Sequence, residues 1–435
     1  MSTNSVFLKK ILDSCIHDLA ASFRCFVRNP DTDFSRSRKI SFEEVIRFCL
    51  SLQAGSLEAE LLSFSGYSPS VPSSSAMIQA RQKVLPECFV SLLRQFNSRL
   101  GLDGRFCGMR VLAVDGSYFL YPENRKEPLC WTRNPHTESG KNSVLLNAVY
   151  DLRLGIFEEF CFQEHHNANE NKGFAELLSR RPDWNRCLFV ADRGYESFNT
   201  FAAVREKNAD FLIRGKGGKT GIQAGLKLPG REEFDETVSI VLCGKHTGNT
   251  KKYPEKYKRI RTESAFDFFR EDCREYRMTF RVVKLKVNEN LTEILFTSLP
   301  RETFPPSRLR ELYHMRWGIE TAFHQLKYAL GALALHSVKY DFVIQEIGAK
   351  IVLFNLGQAV VAGTEFPPKS RNGKARKINV TRAMEIIRAF WHGITQRPEG
   401  IEKLLRKYLV PVRKGRQCCR KNTQKKAVPF NHRLP

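Results

Sequence analysis

The chain has 435 residues, of which 42% are hydrophobic, so it is long enough for two or three domains with substantial cores. Lys and Arg total 70 against 46 Asp and Glu, which gives a net charge of +24. Such an excess of positive charge repels itself unless a polyanion is bound, so nucleic acid is the expected partner. Ribosomal, histone-like and membrane-surface proteins share this property, and composition alone does not separate them from DNA-processing enzymes.

Cysteine spacing and hydropathy indicate the cellular compartment of the protein. The 12 cysteines include no CxxC pair, which argues against a structural zinc site and predicts free thiols in a reducing cytoplasm. The N-terminal residues lack the layout of a signal peptide, and we expect no apolar run near the ~20 residues that span a bilayer. These features predict a soluble cytoplasmic protein with no membrane partner.

Residues 1–105 are predicted to be helical. Apolar residues recur at helical spacing in 42–50, and Ser41 with Glu44 has the pattern of a capping box. A further helical stretch is predicted over 76–100, and its basic residues suit contacts to a phosphate backbone: Arg81, Lys83 and Arg94. A helical packing or dimerisation module fits the same pattern equally well.

From residue 110 the periodicity changes to short apolar runs separated by helical stretches. Three strands come first, followed by a helix near 171–180, a strand near 187–191, a helix near 198–207 and a strand near 209–216. With the first three strands as a meander, this order is the plan of an RNase H-like fold. Residues 216–300 are strand-rich and interrupt it, and helices resume at about 307.

The predicted fold class is therefore α/β, with an RNase H-like catalytic core of mixed sheet and flanking helices, a β-rich insertion domain and an α-helical N-terminal domain. The last 25 residues carry eight Lys or Arg and no acid, which predicts a basic tail. The predicted domains are a helical DNA-binding domain at 1–105, the first part of the core at 106–215, the β-strand insertion at 216–300, the second part of the core at 301–365, and a C-terminal helical segment with the basic tail at 366–435.

The segment 313–327 holds the most informative pattern. Taken as one helix, it places four polar residues on a stripe about 60° wide beside an apolar stripe: Tyr313, Arg316, Glu320 and Lys327. A solvated face with an i,i+4 ion pair worth ~0.3–0.5 kcal/mol has the same appearance.

Two upstream acids favour the functional interpretation. Asp115 and Asp192 each follow a buried apolar run, at the strand end where α/β sheets place ligands. With Glu320 they would supply three carboxylates, a set that suits two Mg²⁺ ions, with Mn²⁺ as a substitute. Two such ions ~4 Å apart can activate an attacking oxygen and stabilise the leaving oxygen in a displacement at phosphorus.

On these residues the sequence resembles bacterial insertion-sequence DDE transposases of the group with a Y-x2-R-x3-E-x6-K signature. The four positions of the signature are matched by Tyr313, Arg316, Glu320 and Lys327, and the contexts of the two aspartates, Asp115-Gly116-Ser117 and Asp192-Arg193-Gly194-Tyr195, also resemble the family. The resemblance implies cut-and-paste transposition of an insertion sequence by strand cleavage and strand transfer, with Asp115, Asp192 and Glu320 as catalytic metal ligands. It also implies a homodimer that pairs the element ends and acts on double-stranded DNA, including the target.

The same resemblance implies roles for the basic residues. Arg316 and Tyr313 would hold phosphates near the cleaved end, and Lys327 would steady the terminal backbone. Arg193, Arg214 and Lys216 are further candidates for DNA contacts, with ion pairs or a solvated loop as the alternatives.

The resemblance also raises the question of hairpin DNA ends. Relatives with an inserted β-domain cut through a hairpin intermediate and often stack a flipped base on a tryptophan there. Residues 216–300 contain no Trp. Five aromatic residues are candidates for that stacking, or alternatively for the core: Phe266, Phe268, Phe269, Tyr276 and Phe280.

Three other polar sites are interpreted without a catalytic role. Glu164, His165 and His166 are consecutive on a predicted strand, so their side chains would not converge on one metal ion. Glu170 opens a predicted helix and is expected to interact with its dipole. His324 is one turn beyond Glu320, and we expect a packing or surface role for it.

Three functions remain open from the sequence: an active transposase, a non-catalytic DNA-binding relative (domesticated or inhibitory), and a standalone nuclease of the same fold. The three acids, the polar stripe, the helical N-terminal region and the basic tail favour the first.

Overall fold

The structure is a computed structural model that describes residues 5–36, 39–134, 139–217, 221–245, 248–260, 266–270, 274–289, 291–369, 373–393 and 400–412. Most of the predicted basic tail lies outside these residues.

Five α-helices precede the first strand in the part of the chain that the structure describes: α1 Ser5–Ala21, α2 Phe42–Ser51, α3 Leu57–Phe64, α4 Ser74–Lys83 and α5 Glu87–Arg99. The capping box that begins α2 is confirmed, because Ser41 Oγ accepts from the Glu44 amide at 3.1 Å and the Glu44 carboxylate accepts from the Ser41 amide at 2.6 Å. The predicted helix over 76–100 is instead two helices, since Pro86 has no N–H to continue α4 into α5.

The first ten strands form one mixed sheet. They are β1 Arg110–Tyr121, β2 Trp131–Arg133, β3 Gly140–Asp151, β4 Ile156–Glu164, β5 Cys187–Ala191, β6 Asp210–Arg214, β7 Phe234–Cys243, β8 Tyr257–Arg259, β9 Glu275–Asn288 and β10 Leu291–Thr297. β4, β3 and β1 pair antiparallel as a meander, and β5 and β6 continue parallel to β1. This mixed α/β order is consistent with the RNase H-like plan.

The strands of residues 216–300 extend the same sheet. β10 pairs antiparallel with β6 through Thr297 and Leu212, and β9, β7 and β8 follow outward. The strand-rich character predicted for this range is confirmed, and its strands continue the core sheet at the β6 edge. Whether the range acts as a domain of its own stays a prediction.

The remaining helices flank the sheet or follow it: α6 Glu170–Ser179, α7 Phe198–Glu206, α8 Gly248–Lys252, α9 Pro306–Met315, α10 Trp317–Tyr328, α11 Tyr340–Gly363, α12 Val380–Trp391 and α13 Ile401–Leu405. A small antiparallel pair, β11 Arg376–Ile378 and β12 Leu409–Pro411, lies near the C-terminus. The predicted continuous helix from about 307 to 330 is wrong in one detail. The amides of Arg316 and Ile319 bond to carbonyls three residues back, so the helix tightens and divides at Arg316.

Apolar side chains pack on both faces of the sheet. On one face, residues of α6 and α7 share a cluster with Leu112 and Val114 of β1. On the other face, α9 packs near Val111, while α10, α11 and the N-terminal helices share a cluster with Ala113. The alternation along β1 therefore directs every second side chain, beginning with Val111, toward α9 and α10.

The N-terminal helices belong to the same apolar cluster as α11. Arg81 of α4 lies at this contact with 1% of its surface exposed, and it donates to the Glu346 carboxylate of α11 at 3.1 Å. The prediction that Arg81 faces DNA phosphate is therefore wrong, because its charge is buried and paired within the protein. Arg94 likewise pairs with Glu159 at 2.6 Å, although about a third of its side chain is exposed.

One described helix, α11, is long and apolar enough to cross a membrane by length and composition. From the sequence we expected no apolar run near the length that spans a bilayer, and α11 corrects this expectation. Glu346 and Lys350 interrupt the apolar run in the sequence, but the helix continues through both residues. About 78% of its most apolar stretch is buried inside the protein. A helix at the centre of a protein core is apolar on all sides, and this position accounts for the composition of α11.

His392, directly after α12, allows a pH-dependent test of this packing. Burial, followed by the nearby Lys350 ammonium, lowers the pKa of the ring from 6.5 to about 4. The unfolded chain therefore binds a proton below about pH 6.5 that the folded chain takes up only near pH 4. We expect wild type to lose on the order of 3 kcal/mol more free energy of unfolding than His392→Gln between pH 7 and pH 4. Urea unfolding at both pH values measures the difference, and equal losses would contradict a neutral, partly buried ring.

Candidate active site

The two aspartates are brought together by the register of β1 and β5. These strands run parallel, and their last pair is Val114 with Ala191. Asp115 directly follows Val114 and Asp192 directly follows Ala191, so the backbones of the two aspartates are neighbours. Asp115 continues the alternation of Val111 and Ala113, which directs its carboxylate toward the face where α9 and α10 lie. The prediction that Asp115 ends its strand is wrong, because pairing with β3 carries β1 on to Tyr121.

Arg316, at the junction of α9 and α10, bridges two of the predicted catalytic acids. Its Nη2 donates to Glu320 Oε1 at 2.7 Å, and its Nη1 lies 3.6 Å from Asp115 Oδ2. The side chain is 3% exposed, and the ring of Trp317 lies 5.0 Å from the guanidinium. The Arg316 Nε is buried and has no hydrogen-bond partner among the described residues. The tightened turn at Arg316 thus places a buried positive charge between the two carboxylates.

Asp115 is in an unfavourable environment for a negative charge. Burial raises the pKa of its carboxyl to about 7, while Arg316 and the Gly116 amide act in the opposite direction. Glu170 and Glu320 add repulsion that raises the pKa further. A cation that enters the pocket would therefore favour the ionised form of this carboxyl.

Tyr313 connects α9 to the second aspartate. Its hydroxyl donates to Asp192 Oδ1 at 3.5 Å, and the Arg193 amide donates to the same carboxylate oxygen at 2.7 Å. Burial raises the pKa of the Tyr313 hydroxyl to about 12, so it remains a donor at neutral pH. These two donors fix the position of the Asp192 carboxylate at the start of a short 3-10 turn, Arg193–Tyr195.

Lys327 lies two turns beyond Glu320 on α10. Its ammonium donates to the Tyr118 carbonyl of β1 at 2.6 Å and lies 4.8 Å from the ring of Phe119. Burial lowers the pKa of this ammonium to about 8. Because it is partly desolvated and bonded to a single carbonyl, Lys327 is suited to accept an anionic group at the pocket wall.

Asp115, Asp192, Glu320 and Lys327 line one pocket of about 440 Å³, together with residues that the sequence did not single out as catalytic. Tyr313 and Arg316 contact the acids but do not line this pocket. The pocket is lined by Asp115, Gly116, Ser117, Glu170, Asp192, Gly194, Tyr195, Glu320, Phe323, His324, Lys327 and Tyr328. Glu170 is the first residue of α6, as expected for a helix-dipole partner, but it also belongs to this pocket. Burial, followed by repulsion from Asp192, raises the pKa of the Glu170 carboxyl.

The other predicted basic residues do not line this pocket. Arg193 is exposed directly after Asp192, and it lines a neighbouring pocket of about 500 Å³ with Arg214 and Lys284. Arg214 also lies 3.3 Å from Glu293, so part of its charge is balanced. Lys216 is exposed and does not line either pocket, although its amide donates to Glu196.

The histidine pair and the aromatic candidates lie elsewhere. His165 and His166 are in a 3-10 turn after β4, near Ser143 Oγ at 2.8 Å and the Trp131 carbonyl at 2.9 Å respectively. Phe280 is 1% exposed and belongs to the core, which rules it out as a stacking platform. The remaining aromatic candidates pack on one another beside that core: Phe266, Phe268, Phe269 and Tyr276.

The donor types in the pocket suit a hard divalent cation, because the acids supply only oxygen ligands. Within the described ranges, however, no three acidic, His or Cys side chains are grouped closely enough to hold an ion. The guanidinium of Arg316 balances the charge of two of these acids, Asp115 and Glu320.

The family model described as "Transposase DDE domain" matches residues 107–356, which is more than half of the chain and includes all three predicted catalytic acids. This protein belongs to the DDE transposase family. The match begins before β1 and ends within α11, so it spans the sheet and the helices that bring the acids together.

Curated relatives of this DDE transposase are encoded by bacterial insertion sequences. The transposase InsG of insertion sequence element IS4 of Escherichia coli (strain K12) is 22% identical over 295 residues, 65% of this chain and 60% of that protein. The putative transposase InsL of element IS186A of the same strain is 23% identical over 294 residues, 64% of this chain and 73% of that protein. The predicted resemblance to insertion-sequence DDE transposases is confirmed, and the match spans about 60% of the IS4 relative.

Among solved structures, a piggyBac transposase in a synaptic complex with hairpin DNA aligns with 92% of this chain and 81% of its own. The TM-score is 0.44 and the sequence identity is 10%.

Proposed function

We propose that the protein is an active transposase that cuts an insertion sequence from double-stranded DNA and joins it to a target. The observation that carries the proposal is the position of Asp115 and Asp192 one residue beyond the last parallel pair of β1 and β5, in the same pocket as Glu320. Three carboxylates from two strands and one helix thus meet on a family fold whose relatives are named as transposases.

We propose Asp115, Asp192 and Glu320 as the ligands of two Mg²⁺ ions, with Mn²⁺ as a substitute. When bound, such ions would activate the attacking oxygen and stabilise the leaving oxygen at phosphorus. The raised pKa of Asp115 and the carboxylates around it support this proposal, because the pocket carries a net negative charge that cations would relieve.

The basic side chains around the pocket are proposed to hold DNA. Lys327 carries a point charge at the pocket wall that suits phosphate oxygens. Arg316 is 3% exposed and donates to Glu320, so it would hold a phosphate oxygen only after its guanidinium leaves that carboxylate. Tyr313 would orient Asp192 and contact phosphate at the same edge. Arg193, Arg214 and Lys216 would extend the contact along the DNA backbone, and of these Lys216 is the weakest candidate because it lies outside both pockets.

The remaining parts of the proposal concern assembly, location and intermediates. The protein is proposed to act as a homodimer on paired ends, in the bacterial cytoplasm, with residues 1–105 contributing to end binding. A hairpin intermediate stays a prediction, and Phe266, Phe268, Phe269 and Tyr276 are its remaining stacking candidates.

The proposal is tested by incubating the purified protein with a DNA fragment that carries the ends of its own element, with Mg²⁺ or with EDTA. We expect cuts at the element boundary on denaturing gels in Mg²⁺ alone, and no cuts in a fragment with scrambled ends. Covalently closed ends among the products would support the hairpin step. Binding to the ends without cutting, in Mg²⁺ and in Mn²⁺, would reject the proposal in favour of a non-catalytic DNA-binding protein.

A further inference from the structure

Glu170 lies between strand β1, which carries Asp115, and the turn that follows Asp192. A Cβ placed on Gly116, directly after Asp115, would lie 2.7 Å from Glu170 Oε1, closer than real Cβ atoms come to another heavy atom. A Cβ placed on Gly194, two residues after Asp192, would lie 3.5 Å from Glu170 Oε2. One carboxylate therefore faces the backbone of β1 with one oxygen and the backbone of the turn after Asp192 with the other. The absence of a side chain at Gly116 is what allows this approach.

The charges around Glu170 are not balanced by a protein cation. Arg316 neutralises Asp115 and Glu320, and the Lys327 ammonium donates to the Tyr118 carbonyl. Within the described part of the chain, neither Glu170 nor Asp192 forms an ion pair with a Lys, Arg or His side chain. The pocket therefore has two sides: a neutralised side at Arg316 and an acidic side formed by Glu170 and Asp192.

A role confined to helix α6 does not account for this arrangement. An acid in the first turn interacts favourably with the helix dipole, typically by ~0.3–1 kcal/mol. An exposed acid outside the pocket would provide the same interaction. The N-cap of α6 is already formed by Asn169, whose side chain accepts from the Lys172 amide at 3.0 Å. Glu170 instead points across β1 toward the turn after β5, where a second carboxylate lies.

We infer that Glu170 is a fourth carboxylate of the catalytic pocket and, with Asp192, binds one of the divalent cations. The inference rests on the proposed function, because it assigns a ligand for the cations that the proposed reaction requires. It places one cation on the acidic side of the pocket, away from Arg316. Glu170 is thereby a metal-ligating residue in addition to the three acids that the sequence pattern identifies, Asp115, Asp192 and Glu320.

The test is a comparison of Glu170→Gln with Glu176→Gln. Glu176 lies on the same helix and pairs with Arg180 outside the pocket, so its replacement makes the same chemical change without touching the site. Binding of Mn²⁺ alone to the full chain is titrated by electron paramagnetic resonance, which counts free and bound ions without requiring activity. We expect Glu170→Gln to lose one bound Mn²⁺ or to bind it at least about tenfold more weakly, and Glu176→Gln to match wild type.

Two further measurements keep the outcome clear. Thermal unfolding with and without Mn²⁺ shows whether each variant is folded, and we expect Glu170→Gln to be at least as stable as wild type without metal but to gain less from Mn²⁺. Glu170→Asp retains the charge on a shorter side chain, and partial recovery of Mn²⁺ binding would support a ligand role. Unchanged Mn²⁺ number and affinity in Glu170→Gln would overturn the inference, as would a wild type that binds no Mn²⁺. A wild type that binds Mn²⁺ in a Glu170-dependent way yet cuts no DNA would instead reject the proposed function alone.

Discussion

Glu320→Gln is expected to reduce cutting at the element ends by about 1,000-fold or more, equivalent to about 4 kcal/mol in the activation free energy, while the protein still binds the ends. Glutamine has the same shape and can still accept a hydrogen bond from Arg316, so the fold and the phosphate-binding surface should persist. What it loses is the negative charge, and with it a ligand for a divalent cation. Because DNA affinity comes mainly from phosphate contacts, binding should change little.

Glu311→Gln is the matched control for this experiment. Glu311 is an exposed residue of α9 that does not line the pocket, so its replacement removes one negative charge from the same helical segment without touching the site. Cutting rates on denaturing gels and end binding by gel shift should both match wild type for this variant. If Glu320→Gln cut within about tenfold of wild type, the carboxylate would not be a ligand in the reaction, and the signature position would have to be reassigned.

Much of the core and its acids could be predicted from the sequence, because both depend on local patterns. The apolar runs before Asp115 and Asp192 have the length and composition of buried strands, and parallel strands in one sheet bring their following residues to the same edge. The helical spacing of Arg316 and Glu320 predicts contact on one face, and the structure has that ion pair at 2.7 Å. These inferences need no knowledge of distant partners.

What the sequence did not predict depends on contacts between distant segments. The strands of residues 216–300 have the pattern of a separate unit, yet β10 pairs with β6 and continues the core sheet. Glu170 has the ordinary appearance of a first-turn acid, and only the packing of α6 across β1 shows that its carboxylate faces Gly116. The division of the helix at Arg316 could not be predicted either. The spacing of apolar residues is the same for one continuous helix as for two successive helices with the same axis.

The burial of Arg81 is the clearest case. A basic residue on a predicted helix is usually exposed, and in a chain of net charge +24 a DNA-facing role is the natural expectation. Its partner Glu346 is 265 residues away in sequence. No local rule pairs them, so the correction follows only from the packing of α4 against α11.

This buried pair is the source of the second large effect that we expect. Glu346→Met should destabilise the protein by about 3–5 kcal/mol, because it leaves the Arg81 guanidinium buried without its partner charge. The Arg81 and Glu346 side chains are 2% and 3% exposed, so water cannot compensate. Burial alone would raise the pKa of Glu346, but His336 and then Arg81 outweigh it and hold the pKa at about 2. The carboxylate thus favours the folded state above about pH 4.5, and this contribution is lost as the pH falls toward 2.

A double-mutant cycle separates the cost of the unpaired charge from the loss of packing. Arg81→Met combined with Glu346→Met should be less destabilised than the sum of the single variants by about 2 kcal/mol, measured by urea unfolding at pH 7. The exposed pair of Arg28 and Asp341, whose side chains are 41% and 44% exposed, also joins the N-terminal region to α11 and is the matched control. Asp341→Asn should cost less than about 1 kcal/mol because water screens an exposed pair. Additive losses in the cycle would mean that Arg81 and Glu346 do not depend on each other, and the contact between the N-terminal helices and α11 would then rest on its apolar side chains alone.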